Sequence, residues 1–376
     1  ALIKSGDGSM VLAPTGAYHN YPGTTTIEAG TLILGANAPS GSAGALGNAT
    51  SAVLLGNTSG SSNASLLTNG AYTIARPITV QSGNSGTITI GGTGSFSSIF
   101  SGNIVLNKSV NLTADSGGTA TFQTGVISGS FGIAKAGSGN VILSSNNTYT
   151  GTTTISAGTL VAAHSGALGT SAGSTSITSG ATLALQGGIT IADAISAAGT
   201  GVGSLGAILN NSGSNTLSGL VTQTAASTIG STAGTLTLDV ASGNAVTGTF
   251  NLTFIGAGNT TVNDPIAIST GTLTKSGAGT LTLSGTNTYT GNTTISAGTL
   301  KVASATALGA SSSSVSIISG AVLDLNGQTM TNTNALTING TGISNAGAIT
   351  NSSSTAATYA GSVTLGSDSA IGSTAG

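Results

Sequence analysis

Hydrolysis of a glycan or peptide needs acids, bases or nucleophiles gathered at one place, and this chain holds few of them. Eight acidic side chains occur in 376 residues: Glu28 is the only glutamate, and Asp7, Asp115, Asp193, Asp239, Asp264, Asp324 and Asp368 fall singly. A glycosidase needs two carboxylates flanking one bond; scattered aspartates in turn-like surroundings read instead as solvated turn residues. His19 and His164 are the only histidines and there is no cysteine, too few ligands for a zinc shell, and both read as exposed loop residues. Serine is abundant, yet no G-x-S-x-G elbow is present. Gly91-Gly92-Thr93-Gly94 is not followed by G-K-[ST], so it reads as a turn rather than a phosphate loop. No catalytic, metal-binding or cofactor-binding residue is assigned, and no cofactor is implied.

The remaining reactive groups recur in a pattern. Lys4, Lys135 and Lys275 each open a similar stretch, and Tyr21, Tyr149 and Tyr289 sit at its centre. A recurring lysine invites a covalent cross-link, but that chemistry wants a nearby acid, and one glutamate in the whole chain argues against it. The lysines read as side chains snorkelling from a coil edge. The tyrosines read as corner plugs with their hydroxyls at the surface, in preference to sugar platforms.

The stretch that carries them is said three times. Residues 273–309 read LTKSGAGTLTLSGTNTYTGNTTISAGTLKVASATALG, residues 133–169 repeat this closely, and residues 2–47 carry a looser version. Gly30, Gly158 and Gly298 mark a second turn within T-I-x-A-G-T-L. Alternation in Thr280-Leu-Thr-Leu283, Thr293-Thr-Ile295 and Thr299-Leu-Lys-Val302 is the period of half-buried strands, and the Gly- and Asn-rich segments between them have turn composition. Strands this short are unstable as isolated hairpins. Stacking each on its equivalent one coil along would solve this and give one continuous core of Leu, Ile, Val and Ala. At ~4.8 Å per coil, roughly 15 to 18 coils are expected. Asn and Thr are expected to form side-chain ladders along the stack.

The fold class expected is all-β, a parallel β-helix or β-solenoid. The spacers repeat too: residues 179–185 match 319–325, and I-G-S-T-A-G occurs at 229–234 and 371–376. A single solenoid is therefore expected, built of supra-repeats at 1–132 (diverged), 133–272 and 273–376 (truncated).

The pattern K-x-G-x-G-T-L-T-L-S-G-x-N-T-Y-T-G-x-T-T-I-x-A-G-T-L resembles the autotransporter-associated beta strand repeat, also called the passenger-associated transport repeat. Lys275 to Leu300 match it almost throughout and Lys135 to Leu160 nearly as well. The first copy departs, with Pro22 after the tyrosine and His19-Asn20-Tyr21 in place of N-T-Y. The resemblance implies a right-handed parallel β-helix in the secreted or surface-displayed passenger of a Gram-negative bacterium. It also implies outer-membrane translocation machinery as a partner during export.

Composition agrees with export and architecture. Charged residues are 4% of the chain and the net charge is −2, against a usual charged fraction of about 25%. Six basic residues spread over the chain form no phosphate-tracking stripe, so no nucleic-acid partner is expected. The absence of cysteine removes disulfides. No segment reaches the roughly 18 apolar residues of a membrane-spanning helix. The chain opens inside a repeat and stops within a spacer, so it reads as part of a longer protein. Three functional readings remain: a structural stalk or coat; an adhesin engaging glycan or cells through loops at residues 36–42 or 204–218; and self-association into filaments or a surface layer. A polysaccharide-acting enzyme is the remote alternative.

Overall fold

A computed structural model describes residues 1–14 and 18–373. The end of the second I-G-S-T-A-G segment, Thr374 to Gly376, lies outside the described residues. Every strand ladder among the described residues is parallel, apart from an isolated antiparallel bridge between His19 and Gly44. The architecture is a β-solenoid of about 16 turns. Two 3-10 turns, Val202–Ser204 and Ile343–Asn345, are the only helical elements among the described residues. The chain divides into two compact units, Ala1–Leu183 and Ala184–Gly376.

In the first unit, the coils build three ladders. One is a six-stranded sheet in strict chain order: Leu2–Lys4, Thr25–Ile27, Val53–Leu55, Ile78–Val80, Ile104–Leu106 and Ile127–Gly129. The second runs from Ser9–Leu12 through Gly30–Leu34, Ala64–Thr68, Ile88–Gly92 and Val110–Ala114 to Ile133–Ala136 and Thr153–Ile155. The third stacks Thr73–Ile74, Ser97–Phe100, Thr119–Phe122, Asn140–Leu143 and Thr159–Ala162. Within that ladder Phe100 stacks on Phe122, with centroids 4.9 Å apart. In the second unit a nine-stranded parallel sheet runs from Thr190–Ile191 to Ile371–Ser373, again in chain order.

The alternation read from sequence sets the inside. In Gly298–Val302 the burial pattern places Gly298, Leu300 and Val302 inward and Thr299 and Lys301 outward, and Thr280–Leu283 and Thr293–Ile295 are strands as expected. β-Branched and aliphatic side chains suit this half-buried pleated surface. Three strands exceed five residues: Ala335–Gly340, Val363–Ser369 and, the longest, Val221–Ser231, which runs for 11 residues because it pairs with two ladders in succession.

Two expectations are corrected. The segment 204–218 is not an irregular loop: it holds strands Ile208–Ser212 and Ser214–Leu217, which pair with the coil that follows. Nor do the asparagines mainly form amide ladders. Asn63, Asn103, Asn251, Asn259 and Asn292 each accept through Oδ1 from a backbone N–H one coil onward, at Thr87, Val126, Thr272, Thr280 and Ser314. A turn leaves amides without a ladder partner, and an asparagine side chain reaching along the stack satisfies them.

Candidate functional site: the lysine cradle and the tyrosine plug

The repeated phrase is one coil plus the first two strands of the next. Strands Ile133–Ala136 and Asn140–Leu143 stack on Thr153–Ile155 and Thr159–Ala162, with Lys135 opposite Ile155. Leu273–Lys275 and Thr280–Leu283 stack likewise on Thr293–Ile295 and Gly298–Val302, with Lys275 opposite Ile295. In the first copy Lys4 lies opposite Ile27. The phrase thus carries its own stacking partner.

Each lysine ends in the same cradle. Lys135 Nζ donates to the carbonyls of Ala136, Gly137 and Ala157 at 2.8, 2.7 and 2.9 Å. Lys275 Nζ donates to Ser276, Gly277 and Ala297 at 3.2, 2.7 and 3.1 Å. Lys4 Nζ donates to Ser5, Gly6 and Ala29 at 3.3, 2.6 and 2.9 Å. An ammonium has three N–H donors and no acceptor, so three carbonyls saturate it. Two belong to its own coil corner and the third to the coil above, so the side chain staples consecutive coils. Lys135 is fully buried, and Lys4 and Lys275 nearly so.

The expectation of snorkelling is therefore wrong. Lys135 lies two residues after inward-facing Ile133 and shares its parity, so its stem enters the core and its head meets bare corner carbonyls rather than solvent. Burial without a carboxylate lowers the pKa of both Lys135 and Lys275 to about 8.

The landmark glycines follow from the cradle. Gly30, Gly158 and Gly298 have φ of +70°, +62° and +69°, where a Cβ is strained. A Cβ on Gly158 would lie 2.8 Å from Lys135 Nζ and 2.5 Å from the Gly139 carbonyl; on Gly298 it would lie 2.8 Å from Lys275 Nζ.

The tyrosines form a second repeated device. The hydroxyls of Tyr21, Tyr149 and Tyr289 pair with the Oγ1 of Thr25, Thr153 and Thr293 at 2.9, 2.7 and 2.8 Å. Those threonines are fully buried, as are Tyr149 and Tyr289. The surface hydroxyls expected for these plugs are thus corrected for those two copies: the ring points into the coil and its hydroxyl finds an internal partner. Burial pushes the Tyr289 hydroxyl well above the usual tyrosine range. The glycine of each A-L-G closes on the ring: a Cβ at Gly47, Gly169 or Gly309 would sit within 3.0 Å of ring carbons of Tyr21, Tyr149 or Tyr289.

Between lysine and tyrosine, Asn147 and Asn287 bridge coils, accepting from Ile127 and Ile266 and donating to Ala167 and Ala307. His19 stands at this position in the first copy, and fully buried Arg76 fills the gap, donating to the carbonyls of Leu46 and Ser51. Sequence reading missed Arg76 and also Lys108, which donates to the Asn84 and Gly86 carbonyls. The signal was available: with so few acids, buried cations must end on backbone oxygens. Five of the six basic residues do so; Lys301 instead pairs with Asp324 at 3.6 Å.

Asp193 and Asp324 are buried, against the expectation of solvated turns. Asp324 accepts from the Asn326 and Ser352 amides and the Ser352 hydroxyl, which offsets its desolvation. His164 is exposed and His19 half-buried. Among the described residues no group of three or more His, Asp or Glu gathers as a metal site, and no helix is long and apolar enough to cross a membrane.

The cradle and the plug define a repeat that does structural work within a solenoid. The passenger-associated-transport-repeat family model matches residues 2–34, 133–162 and 273–302, and the chain carries three copies of that repeat. It is similar to the adhesin BmaC autotransporter of Brucella suis biovar 1 (strain 1330), with 37% identity over 115 residues. That alignment covers 26% of this chain and 3% of the length of that relative. No solved structure matches the chain.

Proposed function

We propose that this chain is a structural, adhesive segment of an autotransporter passenger, displayed at the outer surface of a Gram-negative bacterium after passing the outer-membrane export machinery. The observation that carries this is the threefold lysine cradle, a device that ties coil to coil and engages all three donors of each ammonium. The transport-repeat match and the adhesin relative support the same direction. The working unit is the supra-repeat, with Lys135 and Lys275 as equivalent staples, and the segment acts as a non-enzymatic rod or coat element that holds binding surfaces away from the cell.

Export of an unfolded chain suits this design. Each phrase carries both coils of its staple, so a coil can lock with contacts only about 20 residues apart in sequence, which keeps the loop-closure cost low. The test is display of the segment between a signal peptide and a translocator barrel in a Gram-negative host. The expected result is antibody labelling on intact cells and a protease-resistant, β-rich fragment shaved from the surface. Retention of a correctly folded segment inside the cell, or its passage without surface labelling, overturns the reading.

A further inference from the structure

The first copy of the repeat departs from the others in two places, and the structure brings both departures to one cleft. Tyr18 stands where the other copies have Asn146 and Thr286. The segment from Thr31 to Gly47 is longer than its counterpart from Thr159 to Gly169, and the added residues fall around Asn37 to Ala43. Together they line a cleft of about 290 Å³ with Tyr18, Asn37, Pro39, Ala43, Thr73 and Ala75 around it.

The cleft is built rather than incidental. The added segment is tied on both sides: Ala38 donates to Thr73 O and Ala75 donates to Ala38 O, at 3.0 and 2.9 Å. Ala45 closes back on Asn37 O at 2.9 Å, and Gly44 donates to His19 O at 3.1 Å. Asn37 Oδ1 accepts from Thr73 N at 2.8 Å, which fixes the amide and leaves its two N–H donors at the rim. Beneath, buried Arg76 holds the Leu46 and Ser51 carbonyls. Tyr18 keeps 52% of its surface exposed, so the cleft presents a half-open aromatic face.

We infer that this cleft binds a single neutral pyranose, stacked on Tyr18 and hydrogen-bonded by the Asn37 amide. None of the lining residues is charged, which disfavours acidic sugars. An aromatic face offers apolar contact to one C–H face of a sugar ring, and a fixed amide supplies orientation. The volume suits one ring, at the low end of small-molecule pockets. The inference deepens the adhesive reading, on which its biological use rests.

The test is saturation-transfer NMR on the whole chain with methyl β-D-glucopyranoside, methyl β-D-galactopyranoside and methyl N-acetyl-β-D-glucosaminide, with N-acetylneuraminic acid as the anionic comparison. Expected is binding of at least one neutral pyranoside with saturation concentrated on one ring face. Tyr18→Ala should weaken it about tenfold while Tyr18→Phe retains it. Unchanged circular dichroism and melting of Tyr18→Ala show that the fold is intact. No binding by any neutral pyranoside, binding indifferent to Tyr18→Ala, or binding of the acidic sugar alone overturns the inference. Attachment of chain-coated beads to cells separates the two levels. Attachment that survives in Tyr18→Ala, with no sugar bound, sinks the cleft and spares the adhesive reading. Sugar binding without attachment does the reverse.

Discussion

Replacing Lys135 by Met tests the cradle directly. The stem stays apolar and of similar length, while the ammonium and its three hydrogen bonds, at 2.8, 2.7 and 2.9 Å, are lost. Hydrogen bonds to a charged group are worth ~1.5–3 kcal/mol each, so the gross loss is roughly 5–9 kcal/mol. Against this stands the relief of no longer burying a charge, which is several kcal/mol per ion. What tips the balance is that the three part-buried carbonyls lose their donor; orphaning a buried polar group costs ~1–3 kcal/mol, and less where water reaches it. The expected net destabilisation is about 2–4 kcal/mol for Lys135→Met, and the same for Lys275→Met. The partly exposed Lys301→Met serves as the comparison and should move stability by no more than ~1 kcal/mol. Urea unfolding followed by far-ultraviolet circular dichroism reads the global effect. Hydrogen exchange at Ser156, whose amide donates to Lys135 O at 3.0 Å, reads the local one, since stacked repeats open coil by coil. If Lys135→Met is neutral or stabilising, the buried ammonium is a liability that hydrophobic packing replaces, and the staple argument fails.

Other outcomes follow from the same geometry. Gly158→Ala and Gly298→Ala should each cost roughly 2–4 kcal/mol by urea unfolding, because a Cβ at positive φ is strained and meets both the lysine head and a carbonyl. Tyr289→Phe should cost ~1–2 kcal/mol, the price of leaving Thr293 Oγ1 unpaired in the core, whereas Tyr289→Ala should cost ~3–5 kcal/mol by opening a cavity. Stability should also vary with pH. Lys135 and Lys275 have folded pKa values of about 8 against 10.5 unfolded. Between those values the unfolded chain holds protons the native state has released, so stability rises with pH across that window. Tyr359, pushed up to about 12 by burial, and Tyr289, raised further, act oppositely. Above pH 10 the unfolded tyrosines ionise first and stability falls. A thermal-melting series from pH 7 to 11 should show a maximum near the crossover, and the rising limb should shrink in the double Lys→Met variant.

Much of the molecule was legible in one dimension because a solenoid is nearly one-dimensional. The T-L-T-L alternation set which side chains face inward, the glycines marked positive-φ corners, and the threefold phrase disclosed a stacking unit. Parity also placed the lysines inside, since Lys135 shares the face of Ile133 and Lys275 that of Leu273. The habit of putting lysine at the surface overrode that signal. What the chain order does not contain is the identity of the acceptors one coil away. Ala157 is 22 residues from Lys135, and only the pitch and register of stacked coils bring its carbonyl to the ammonium. The phrase in residues 2–34 lies on a different pair of ladders from that in 133–162, yet builds the same cradle, so the local pattern is portable. The Tyr18 cleft is different in kind. Residues 18, 39 and 75 meet only because an added segment folds back across two coils, and no periodic pattern reports such a meeting. Sequence determined the coil, its inward face and its corners; tertiary structure decided which backbone oxygens receive the buried cations, because those partners come from the next turn of the stack.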